Sequence, residues 1–221
     1  MTTAHVVNLK HRTDRWQNIQ DYFKDTPFKL ERTDGVVITN PFRNGIHSQY
    51  EGVARTHYEL VKRASKQGQK TLLMLEDDCK PEKDFVENWI KMKTWLDSHL
   101  DEWDTFNGGP LGFAAIEQHI MLDECLLFET KSGCASHFVY FNVDRMLPKL
   151  EEWFVKQPEI DVYYFTHCKT LCAYPPLAIQ DEGYSDIAQQ HRTDWSNKFY
   201  FSKLFVMRYL QTLGIAMPVD L

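Results

Sequence analysis

The chain has 221 residues, 43% of them hydrophobic and 14% aromatic, which suits one α/β domain with a sizeable core. Twenty-five basic against 31 acidic residues leave a net charge of −6, the wrong sign for a general nucleic-acid binder. No apolar run is long enough to span a bilayer and the first residues lack a signal-peptide pattern, so a soluble cytoplasmic protein is expected. The five cysteines, Cys79, Cys125, Cys134, Cys168 and Cys172, are odd in number and irregularly spaced, which argues against a disulfide framework. His167-Cys168-x-x-x-Cys172 offers too few ligands for a structural zinc.

In chain order, residues 4–9 read as a first strand and 14–24 as a helix with Trp16, Ile19 and Phe23 on one face. A short strand is expected at 28–30, a turn at 33–35 and a loop over 41–50. Residues 51–67 keep helical spacing and end at Gly68. The apolar run 72–75 predicts a buried strand, and a helix follows over 83–100. Phe106-Asn107-Gly108-Gly109 reads as a strand end breaking into a glycine loop. Strands are expected at 125–129 and 135–142, a helix at 144–155, a segment ambiguous between strand and helix at 160–165, a strand-like end to 173–180, and a packed helix at 197–213. Alternating strands and helices in the first half favour one α/β domain.

Five places can carry chemistry. The strand end Leu72-Leu73-Met74-Leu75 runs directly into Glu76, Asp77 and Asp78, and crowded carboxylates there call for a divalent cation. In an extended segment Glu76 and Asp78 point one way and Asp77 the other, which nominates the first two. The plainer reading is an acidic strand end. Asn8, Arg12 and Arg15 follow the first strand; the amide can read a base or ribose and the arginines a diphosphate, or Thr13 or Asp14 simply caps a helix beside solvated arginines. Arg55 lies near a helix start, where an anion is favoured, whereas His57 sits on the apolar face as a core histidine would. Asp161, among apolar neighbours, is either a general base or a helix cap. Gln180, Asp181, Asp186 and His191 form a polar late segment able to return to a metal and diphosphate.

Taken in order, VVNLKHRTDRW, G-x-A-R-x-H, LLMLEDD, FNGG, HFVYFNVDRMLPKL, EIDVYYF and PPLAIQDEGYSDI resemble glycosyltransferase family 25, the lipopolysaccharide and collagen galactosyl-type transferases. The resemblance runs from Val6 to Ile187 and departs at Ala54-Arg55-Thr56-His57, where the family has a Cys–Ser–His type element. It implies a single GT-A domain over 1–221, a mixed central sheet flanked by helices, a UDP-sugar donor and Mn²⁺ or Mg²⁺ at an acid-x-acid motif. Asn8 and Arg12 would face the nucleotide, Glu76, Asp77 and Asp78 would occupy the metal motif, and Asp161 would lie near the acceptor. Gln180, Asp186 and His191 would close over the site.

The expected activity is transfer of a hexose from a UDP-sugar to a glycan hydroxyl, by an inverting route with Asp161 as base. Asp78, Glu76 and His191 would hold the metal; Asn8, Arg12, Arg15, Arg55, Glu76 and Asp77 would bind the donor. Another metal-dependent phosphate enzyme, or a non-catalytic carbohydrate-binding module, is the alternative.

Overall fold

A computed structural model describes residues 1–38, 42–43, 46–156, 159–186 and 189–215. The chain begins with β1 (Thr2–Asn8), α1 (Thr13–Phe23) and β2 (Phe28–Asp34), then two short strands, β3 (Phe42–Arg43) and β4 (Ile46–His47). α2 (Ser48–Lys66) leads into β5 (Thr71–Glu76), β6 (Cys79–Pro81) and α3 (Phe85–Ser98). β7 (Thr105–Asn107), β8 (Gln118–Leu122), β9 (Cys125–Glu129) and β10 (Phe138–Asn142) precede α4 (Val143–Lys156) and α5 (Ile160–His167). β11 (Thr170–Tyr174), β12 (Ala178–Gln180), β13 (Gly183–Ser185), β14 (Gln190–Arg192) and α6 (Trp195–Thr212) complete it.

Among the described residues, eight strands form a mixed sheet in the order β2-β1-β5-β10-β7-β11-β9-β8. β1 runs parallel to both β2 and β5, β10 is antiparallel to β5 and β7, and β7 is parallel to β11. The chain therefore steps from β1 outward to β2, then crosses back through α2 to β5 on the other side of β1. That reversal puts a crevice at the carboxyl ends of β1 and β5, where open α/β sheets bind ligands.

Strand alternation decides which helix each side chain meets. Ala4, Val6, Leu73 and Leu75 pack with Ile19 and Phe23 of α1 and with Phe85, Trp89, Met92 and Leu96 of α3. Leu72, Met74, Val139 and Phe141 face the other way, onto Ala54, Leu60 and Val61 of α2, Met146 and Leu150 of α4 and Tyr164 of α5. α6 closes a third cluster over β9 and β11 through Val206 and Leu210. By the same parity Asn8 is carried to the α1 face and Glu76 to the α2–α5 face.

Several expectations change. β2 continues through Asp34 because all seven of its residues pair with β1, so no turn forms at 33–35. In the expected loop over 41–50, residues 42–43 pair with 46–47 and α2 starts at Ser48, while 41 and 44–45 lie outside the described residues. The ambiguous segment is helix α5. β8 was not expected; it is an edge strand joined to β9 by the two-residue turn Asp123–Glu124, with Asp123 at φ 55°. No helix of the described residues is long and apolar enough to cross a membrane.

Candidate functional site

At the switch point lies a cavity of about 230 Å³. One wall is apolar, built by Val7, Leu9, Val36 and Val53; the other is polar, with Asn8, Arg15, Glu76, Asp77, Asp78 and Asp186. The segment 35–38 is held in place by α2. Val36 N–H donates to Thr56 Oγ1 at 2.9 Å, and Gly52 lets the Val36 carbonyl approach so closely that a Cβ there would stand 2.4 Å from it.

The three consecutive acids diverge as soon as β5 ends. Asp77, buried on the α1 face, accepts from Asn8 Nδ2 at 2.6 Å and from Arg15 Nη1 at 2.6 Å. Glu76, on the opposite face, accepts from Ser136 Oγ at 2.6 Å. Asp78 sits in the turn: Arg15 Nη1 is 3.5 Å from its Oδ2, and Gln180 lines the same cavity. The expected parity therefore holds for Asp77 and Glu76, while the turn takes Asp78 out of register with Glu76. Burial raises the proton affinity of Glu76, and the charge of Asp78 adds to this. Asp78 is also raised by burial, against the opposing pull of Arg15. Among the described residues, Asn8 Oδ1 and Asp78 Oδ1 are buried oxygens without a hydrogen-bond partner, both on residues that line the cavity. Such atoms are costly in a folded protein and mark where a ligand would satisfy them.

The arginines of α1 are already engaged. Arg12 forks onto Asp14 at 3.1 and 2.9 Å and also donates to Asp186. Arg15 donates to the Tyr184 carbonyl at 2.8 Å in addition to Asp77. The strap formed by residues 181–186 is thus drawn onto α1. At its start Tyr22 Oη donates to Asp181 at 2.6 Å, and Asp181 N–H donates to the Asp78 carbonyl at 2.7 Å. The bond to Asp181 pushes the Tyr22 hydroxyl up to about 12.

Asn8, Arg15, Glu76, Asp77, Asp78, Gln180 and Asp186 come together on the cavity, with Arg12 behind Asp186. Arg55 and His191 do not. Arg55 turns along its own helix to Glu51, 2.7 Å away, and lies over the Phe154 ring, because position 55 faces α4. His191 is exposed on β14, with its ring against Tyr184. Asp161 lies beyond Glu76, near enough for its charge to raise that carboxyl. Its two oxygens accept from Ala135 N–H at 3.0 Å and Val162 N–H at 2.9 Å, so it tethers the approach to β10 to the first turn of α5. His57 is a core histidine: fully buried, 2.7 Å from Tyr164 Oη through Nδ1, and lowered to about 3 by burial. The glycine loop is a packing device, since a Cβ on Gly109 would stand 2.2 Å from the Ala178 carbonyl and 2.5 Å from His137 Nε2. All five cysteines are free, and Cys168 and Cys172 are buried in different clusters.

Among the described residues, no group of three or more His, Cys, Asp and Glu side chains is placed to hold a metal ion. A cage built from protein alone, with His191 as a member, does not fit. The half-buried carboxylates of Glu76 and Asp78, with the unpartnered Asp78 Oδ1, are the residues that would hold a hard cation, which would take the rest of its shell from a bound phosphate. Sequence reading did not find Ser136, which positions Glu76 from sixty residues away, nor the apolar wall at 36–38. Neither belongs to a local motif, and both meet the acids only through sheet pairing and α2. Ile187 of the late motif lies outside the described residues.

No protein-family model matches the chain, and no curated protein does. Among solved structures it is similar to A197 from STIV, with 15% identity and a TM-score of 0.41 over 86% of this chain and 93% of that one. It is also similar to a glycosyltransferase involved in the glycosylation of the major capsid of PBCV-1, with 11% identity and a TM-score of 0.40 over 72% of this chain and 67% of that one.

Proposed function

We propose that the chain is a GT-A-type glycosyltransferase moving a hexose from a UDP-sugar to a hydroxyl of a glycan acceptor. The observation that carries this is the carboxylate turn at the switch point, with unpartnered Asn8 Oδ1 and Asp78 Oδ1 on one cavity that also has an apolar wall. The wall suits a base, Asn8 Oδ1 can accept from a base N–H or ribose hydroxyl, and the acids suit a cation rather than a bare phosphate. Mn²⁺ or Mg²⁺ would be held by Asp78 and Glu76 and would supply neutralisation of the diphosphate leaving group. Arg15 keeps Asp77 and Asp78 oriented, and Ser136 fixes Glu76. On the acceptor side we assign Asp161 as the base that takes the hydroxyl proton in an inverting transfer, the backbone N–H groups of Ala135 and Val162 holding its carboxylate in place.

The test is a thermal-shift panel of nucleotide sugars with and without Mn²⁺. Selective, Mn²⁺-dependent stabilisation by a UDP-sugar is the expected result. Equal shifts from free phosphate, or none from any nucleotide, would reject the assignment.

A further inference from the structure

The strap does more than cover the site. Arg12, at the start of α1, is held between two carboxylates, Asp14 and Asp186, and stands behind Asp186 from the cavity that Arg15 lines. Asp186 reaches it from 174 residues away, across the cavity mouth, and His11 Nε2 stands 3.6 Å from the other Asp186 oxygen. Arg15, one turn along, is capped by the strap's Tyr184 carbonyl. With the strap seated, the cavity measures about 230 Å³. Sites that enclose ligands of this size are usually about 300–1,000 Å³, so a nucleoside diphosphate needs room that the strap occupies.

We infer that Asp186 is an internal anion standing in for a ligand phosphate on Arg12, so that a phosphate-bearing donor gains this arginine only by displacing Asp186 and releasing the strap. The inference rests on the reading of this cavity as the donor site. A carboxylate and a phosphate oxygen accept the same charge-assisted bond from a guanidinium N–H, and they compete directly for the Arg12 Nη1 that Asp186 holds while Asp14 keeps the Nε–Nη2 fork. A ligand without phosphate has nothing to exchange with Asp186 and leaves the strap seated. Tyr22, which ties the strap at Asp181, touches neither arginine among the bonds described and so separates strap mobility from anion competition.

The experiment is calorimetric titration of the full chain with pyrophosphate, uridine and UDP, each with Mg²⁺, in wild type, Asp186→Asn and Tyr22→Phe. Asp186→Asn should bind pyrophosphate tighter by on the order of tenfold, as expected for removing a charge-assisted competitor, and leave uridine unchanged. Tyr22→Phe should speed proteolysis within 181–186 and keep pyrophosphate affinity within about twofold, the range of a peripheral contact. Pyrophosphate binding that is absent in both wild type and Asp186→Asn, unchanged by Asp186→Asn, or tightened as much by Tyr22→Phe would overturn the inference, as would an equal gain for uridine. UDP binding no tighter than pyrophosphate would instead defeat the nucleotide reading while leaving the Asp186 exchange standing.

Discussion

Glu76 shows how the position of one carboxylate can be held at the expense of stability. It is drawn to the α2–α5 face beside Asp78 and within the field of Asp161, and burial raises its proton affinity in the fold. A folded value above the unfolded one means that its stabilising contribution is complete below about pH 4.5 and is lost as pH rises through the raised value. Each unit of that displacement is worth about 1.4 kcal/mol. Glu76→Gln removes the loss, so calorimetry should give a melting temperature several degrees higher than wild type at pH 8 and nearly equal at pH 4, at about 2–4 °C per kcal/mol for a chain of this size. The same variant should lose Mn²⁺-dependent stabilisation by UDP. Equal melting at both pH values would show that Glu76 carries no such penalty in the fold. Asp161→Asn is a separate test of chemistry: kcat should fall by about 10²- to 10⁴-fold with UDP affinity unchanged, and full turnover would exclude it as the base.

At the scale of elements, the site depends on two close approaches that spacing alone does not reveal. Gly52 lets α2 meet the backbone of 35–38. Glycine to alanine inside a helix ordinarily stabilises by about 1 kcal/mol. Here the added carbon would stand 2.4 Å from the Val36 carbonyl, against backbone that cannot swing away like a side chain. Gly52→Ala should therefore destabilise, and by shifting the apolar wall it should weaken UDP more than pyrophosphate in the same titration. An unchanged UDP affinity would show that the wall does not touch the base. Gly109 belongs to the same class, wedged between the Ala178 carbonyl and His137. The strands and helices that bury a continuous apolar face, such as β5, α3 and α4, were legible because their period is local. β8 was not, because an edge strand is half exposed and its turn lacks glycine or asparagine. The separation of Arg55 from the cavity was equally hidden, since only packing against α4 decides which way position 55 turns.

Across the whole molecule, two layers of buried polar groups respond to pH in opposite directions. The acids at the end of β5 and the Asn8–Arg15 strand end were each legible as a polar cluster because each is sequence-local; that Asn8 and Arg15 meet the acids through Asp77, rather than a diphosphate, follows only from β1 and β5 being neighbours. Behind them, His57 and His137 are fully buried, lowered by that burial to about 3 and about 4 from an ordinary value of 6.5. His137 can donate from Nε2 to the Ala178 carbonyl at 3.1 Å while neutral, and Nδ1 has no partner among the described residues. The unfolded chain takes up protons at both histidines below pH 6.5 while the fold does not, so their contribution is complete at neutral pH. It falls as pH drops, at up to about 1.4 kcal/mol per unit for each. Glu76 and Asp78 act against this, because acid relieves them. Wild-type stability should consequently be flatter between pH 6.5 and 4.5 than that of Glu76→Gln, in which the histidine effect is less opposed. Denaturant titrations of both proteins at pH 6.5, 5.5 and 4.5 provide the comparison. Parallel curves would mean that Glu76 takes up no proton differently from the unfolded chain over this range, and that the histidines set the acid response unopposed by it.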